Sequence, residues 1–216
     1  MDDDAQDIPA RLEAVRSRMS LACERAGRDP ATVRLLLATK TVPPDRIAVA
    51  VRAGATLLGE NRVQEGLAKH RRVADLAGVA PTWHFIGHLQ SNKVPEVLKW
   101  SSLVQSVDRP EIVRKLQSRL EFEDRTLDVY MQVNTSGEAS KFGVTPEGAS
   151  DLARQILAAP RLRLRGLMTI GLLGASAEAA RPSLRALRLA RDELLRGGCS
   201  DPGHRWRCVR TWVTVC

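Results

Sequence analysis

Val33-Arg34-Leu35-Leu36-Leu37-Ala38-Thr39-Lys40 is a short, nearly continuous apolar run that ends on a lysine. A run of this length suits a β-strand buried on both faces, as in a parallel sheet covered by helices. Upstream, Leu12, Val15, Met19 and Ala22 recur at helical spacing, giving a helix over about Pro9 to Ala26 that Gly27 stops. Downstream, Pro44 opens a helix with Ile47, Ala50 and Val51 on one side, and Gly54 closes it. The same alternation then repeats.

Strands are expected at Thr56 to Leu58, Trp83 to Ile86, Leu103 to Val107, Leu127 to Val133 and Leu162 to Ile170. Between them lie helical stripes such as Val63, Leu67, His70 and Ala74, or Ile112, Val113, Leu116 and Leu120. Asp108 and Glu111 stand at capping-box spacing before the latter, Thr145-Pro146 marks the start of another helix, and the last clear helix covers about Ala177 to Leu195. Six strand–helix units with no hairpin turn between strands argue for a parallel sheet under helices. No GxGxxG follows a strand and no GxxxxGK[ST] is present, so the phosphate fingerprints of a doubly wound sheet are missing. Polar residues instead gather at the C-terminal ends of several strands: Lys40, Glu60 with Asn61, His88 with Gln90, Asp108, Asn134 and Thr169. In a (β/α)8 barrel those ends converge on one face, where active sites sit.

Composition sets the outer bounds. The 216 residues are 44% hydrophobic and 4% aromatic, with 33 basic against 25 acidic side chains, as in a globular protein able to build its own core. The longest uncharged stretch of the most apolar region, Gly166 to Ala177, is well short of the ~20 residues needed to cross a bilayer. The opening Met1-Asp2-Asp3-Asp4 is acidic where a targeting peptide would be basic, so the expected compartment is the cytoplasm. The charge surplus of +8 sits at the end of the chain, +1 over residues 1–154 and +7 over 155–216. It falls on Arg161, Arg163, Arg165, Arg181, Arg185, Arg188 and Arg191 without interleaved aromatic residues, a pattern of solvated faces more than of a nucleic-acid surface.

Lys40 is one of six lysines against 27 arginines. Where a positive charge alone is wanted this chain uses Arg, so a lysine at a strand mouth points to an amine that must lose its proton and act as a nucleophile toward an aldehyde. A solvated loop lysine is the plain alternative. Asn61 can hydrogen-bond at the mouth without adding charge, or cap the helix that follows. His84 and His88 are four apart, but the alternation around them is that of a strand, so they do not share a helix face and no metal pair is expected. Cys199, Cys208 and Cys216 lie near the end with His204 and lack the close pairing of a zinc site. Lys141, after the fifth strand, is a second lysine at the expected mouth.

Five segments in order resemble one family: Ala38-Thr39-Lys40-Thr41; Gly59-Glu60-Asn61-Arg62-Val63-Gln64-Glu65; Trp83 to Lys93 with Gly87-His88-Leu89-Gln90-Ser91-Asn92; Val133 to Gly143; and Gly166-Leu167-Met168-Thr169-Ile170. The chain is similar over about residues 9 to 199 to the pyridoxal phosphate homeostasis proteins, single-domain relatives of the alanine racemase barrel. The resemblance implies an α/β fold, a (β/α)8 TIM barrel of the alanine racemase type, and pyridoxal 5'-phosphate (PLP) held as a Schiff base on Lys40. It implies that Asn61, His84 and Met168 line the cofactor pocket. It also implies a carrier or regulator of the cofactor, with PLP-dependent client enzymes as possible partners, working as a monomer or weak dimer.

After Gly198 the chain departs from that pattern. The family's seventh and eighth strands, which hold the cofactor phosphate, are replaced by Cys199 to Cys216, with three of the four cysteines and two of the four tryptophans. That break resembles a shifted reading frame, although Val209 to Val215 is rich enough in Val, Thr and Trp to form one strand. The organisation expected is a barrel domain over 1–198, incomplete at strands 7 and 8, with a divergent tail over 199–216. Two rivals stand beside the carrier: a PLP-dependent amino-acid racemase, for which no acid or base matched to Lys40 stands out, and a nucleic-acid or partner-binding protein using the basic C-terminal third.

Overall fold

The structure, a computed structural model, describes residues 7–138, 141–170, 176–199 and 207–210. The acidic start, most of the tail with His204 and Cys216, and two residues of the loop before Gly143 lie outside them. The described residues form two compact units, one through Trp83 and one from His84 onward.

In the first unit α1 (Ile8–Arg25) buries Ile8, Leu12 and Cys23. The carbonyl of Cys23 accepts the Arg28 N–H at 2.9 Å, and Gly27 at φ +58° turns the chain where the sequence placed the stop. Then come β1 (Leu37–Ala38), α2 (Pro44–Arg52), β2 (Leu57–Glu60), α3 (Val63–Ala77) and the start of β3 (Thr82–Phe85). β1 lies parallel to β2 with Leu37 opposite Leu58 and Ala38 opposite Gly59. The Thr82 N–H donates to the Thr56 carbonyl at 2.9 Å. The apolar run of seven residues thus yields only two residues of ladder, because a strand is as long as its pairing and β2 offers few partners.

In the second unit the end of β3 pairs in parallel with β4 (Leu103–Val107), β4 with β5 (Leu127–Gln132), and β5 with β6 (Leu162–Thr169). The helices are α4 (Val94–Val97), α5 (Pro110–Phe122), α6 (Ala149–Leu157) and α7 (Ala177–Arg196). Every residue of β4 is buried, and the last four of β6 are as well, as strands covered on both faces must be. A seventh strand, β7 (Arg207–Arg210), lies parallel to β6 with Leu167 opposite Cys208 and Met168 opposite Val209. It begins two residues before the strand expected in the tail, and residues 211–215 lie outside the described part.

Two helix starts differ from the sequence expectation. No capping box forms at α5: Arg109 occupies the cap position without a side-chain cap, because Asp108 is taken by the Arg109 guanidinium at 2.7 Å. Glu111 is drawn instead to Ser91 and Arg109, which hold its carboxyl below the usual range. α6 begins at Ala149, three residues beyond Pro146; the Thr145 hydroxyl accepts the Gly148 N–H in the turn before it.

Candidate cofactor site

Lys40 follows the C-terminal end of β1 and Asn61 that of β2. The parallel register brings them to neighbouring positions at one edge, and the Thr39 N–H continues the ladder to the Gly59 carbonyl at 2.8 Å. Lys40 is exposed on a turn, and among the described residues its ammonium has no carboxylate partner. The other two lysines of the matching segments are engaged: Lys93 with Glu96 at 3.6 Å and Lys141 with Glu138 at 3.0 Å.

Under this edge lies a buried polar network. The Glu60 carboxylate is fully buried and accepts the Asn61 N–H at 2.9 Å and the Thr39 hydroxyl at 3.2 Å. It also meets the ammonium of Lys69, on α3, at 3.1 Å. Lys69 also pairs with Glu65 at 2.6 Å; that hydrogen bond, against the opposing effect of burial, holds the Glu65 carboxyl below its usual range. Asn61 does not cap α3. Arg62 stands at the cap position, and Glu60 takes the N–H groups of Asn61 and Arg62. The Asn61 side-chain oxygen is buried and without a hydrogen-bond partner, a polar atom left for something the protein alone does not supply.

His84 and Met168 belong to the second unit. His84, on β3, is buried, and its Nδ1 meets the Gln105 side-chain amide of β4 at 2.7 Å. Met168, on β6, is fully buried and packs with Leu103 and Tyr130. His88 stacks on Phe142, ring centroids 3.8 Å apart, with Nδ1 3.4 Å from Asp108. Sequence reasoning passed over Lys69 and Gln105. The first carried a signal in its Glu65–Lys69 spacing and in the scarcity of lysine; the second, 21 residues from its partner, carried none.

Several arginines of the basic C-terminal third are paired among the described residues. Arg163 and Arg165 meet Asp128 at 2.6 and 3.1 Å; burial raises the Asp128 pKa, but these hydrogen bonds outweigh it and hold the carboxyl below its usual range. Arg181 meets Glu178, and Arg188 and Arg191 meet Asp192.

Parallel strands joined by helices, with a lysine and an asparagine at one edge of the sheet, define a class of barrel protein. Residues 11–204 match the family model of the alanine racemase N-terminal domain. The pyridoxal phosphate homeostasis protein of Aquifex aeolicus is 42% identical over 186 residues, 86% of this chain and 80% of that protein. An unknown protein of Bifidobacterium adolescentis superposes with a TM-score of 0.84 at 36% identity, over 92% of this chain and 83% of that one. PipY of Synechococcus elongatus, solved with PLP bound, gives 0.74 at 26% identity over 94% and 97%. The chain belongs to the pyridoxal phosphate homeostasis protein family, within the alanine racemase N-terminal fold.

Proposed function

We propose that this chain binds pyridoxal 5'-phosphate through Lys40 and serves intracellular PLP homeostasis as a carrier in the cytoplasm. The observation that carries the reading is the Lys40–Asn61 edge: an exposed amine with no ion-pair partner among the described residues beside a buried amide oxygen with none either. The residues present fit the group. When bound, PLP supplies an aldehyde that an amine can hold and a ring that withdraws electrons. Lys40 is the amine that holds it, and Asn61 offers a neutral hydrogen bond beside it. His84, which meets Gln105, and the apolar Met168 lie in the second unit and are assigned to the cofactor by the family resemblance alone. Support comes from the PLP-bound relative PipY and from the pyridoxal phosphate homeostasis protein of Aquifex aeolicus, 42% identical over 86% of this chain. Transfer to PLP-dependent client enzymes and a monomeric or weakly dimeric state belong to the same proposal. Among the described residues no helix is long and apolar enough to cross a membrane.

Borohydride reduction of the PLP-treated protein, followed by peptide mapping, tests it. The label is expected on Lys40. Recovery mainly on Lys93 or Lys141 overturns the assignment.

A further inference from the structure

The ammonium of Lys69 lies where both peptide groups flanking Lys40 are held. It donates to the Thr39 carbonyl at 3.1 Å, to Glu60 at 3.1 Å and to Glu65 at 2.6 Å, which uses all three of its N–H bonds. The same Glu65 oxygen accepts the Thr41 N–H at 3.2 Å. Lys40 therefore stands between an anchored carbonyl before it and an anchored N–H after it. Thr41 has φ +65°, in the left-handed region, where a β-branched residue stays only if its surroundings hold it. Release of that anchor would let Thr41 relax and re-aim the Lys40 side chain.

Two features argue for position over stability. A buried ion pair rarely stabilises more than apolar packing of the same volume, and both Lys69 and Glu60 are buried. Three acceptors converging on one point also suit a tetrahedral ammonium, whereas a guanidinium spreads its donors in a plane. In a chain that uses arginine for 27 of 33 basic positions, a lysine here is informative. We infer that Lys69, acting through Glu65 and the Thr39 carbonyl, is a positioning residue that fixes the direction in which Lys40 presents its amine to an aldehyde. The inference rests on Lys40 being the residue that holds PLP.

The test uses the full chain with Glu65→Ala and Lys69→Arg. Glu65 is partly exposed on α3 and alanine favours helix, so Glu65→Ala retains the fold; Lys69→Arg keeps the charge and changes the geometry. Three quantities are measured: the melting temperature without cofactor, hydrogen exchange at the Thr41 amide, and the rate and pH midpoint of PLP trapping on Lys40 by borohydride. In Glu65→Ala the Thr41 amide should exchange faster. In both variants trapping on Lys40 should slow by about tenfold with a moved pH midpoint, the size of effect that a small misplacement of a reacting group produces. Trapping at the wild-type rate and midpoint in Glu65→Ala overturns the inference while leaving the function standing. So does slowing that merely tracks a fall in the folded fraction, and so does full rescue by Lys69→Arg. If Lys69→Arg does not fold, Glu65→Ala decides alone. Wild-type label on a lysine other than Lys40 removes the functional reading, and this inference falls with it.

Discussion

Asn61 carries the clearest tension between stability and function at the level of single residues. A buried polar atom without a partner costs on the order of 1–3 kcal/mol, and among the described residues this oxygen has none. Asn61→Ala should therefore leave the melting temperature unchanged or raise it, while PLP affinity falls by about tenfold, the loss of one hydrogen bond to the cofactor. Melting curves and an absorbance titration measure the two sides. A lower melting temperature with unchanged affinity would make Asn61 a packing residue and free the pocket of it. The neighbouring placement of Lys40 and Asn61 was legible in the sequence because each follows the end of a strand, and parallel pairing brings such ends together. Lys69 offered only its spacing from Glu65 and its residue type: within a helix it passes for a solvated residue until folding carries the Thr39 carbonyl and Glu60 to it.

Elements were legible where apolar periodicity coincides with pairing. β4 was read from the sequence with its observed ends, and α1 and α7 to within a residue or so. β1 was read too long because an apolar run does not by itself make a ladder: Val33 to Leu36 are half-buried or exposed, and pairing begins at Leu37. The loop after β5 shows a further constraint that periodicity cannot reveal. The Val144 N–H donates to the Gln132 carbonyl and the Asn134 N–H to the Val144 carbonyl, each at 2.9 Å, so the chain returns directly beside its own strand. Gly143 makes that return at φ +128°, and a Cβ there would lie 2.5 Å from the Asn134 nitrogen. Gly143→Ala thus meets backbone that cannot move aside and a conformation open only to glycine. A loss of roughly 2 kcal/mol or more is expected in urea unfolding, with the Asn134–Lys141 segment losing protection first. A variant as stable as the parent would show that the return is not tight.

On the scale of the molecule, β7 is the element that the family pattern did not supply and the tail did. The sequence could show only that Val and Thr in the tail favour a strand; the partner is set by β6, whose last four residues, Gly166 to Thr169, are buried and carry the parallel ladder to Arg207–Arg210. Ending the chain before Arg207 would leave a row of unpaired N–H and C=O groups along Gly166–Thr169 of β6. A destabilisation of roughly 3 kcal/mol in a chain of this size corresponds to a fall on the order of 10 °C in melting temperature. The exposed edge should also pair between molecules, so light scattering of the shortened chain should rise with concentration where that of the parent does not. Met168 ties this stability effect to the cofactor: if it lines the pocket, the shortened chain should also release PLP faster, while Lys40 remains the site of borohydride labelling. An unchanged melting temperature and no concentration-dependent association would mean that β7 adds nothing to the folded state, leaving β6 to serve as an edge strand in its own right.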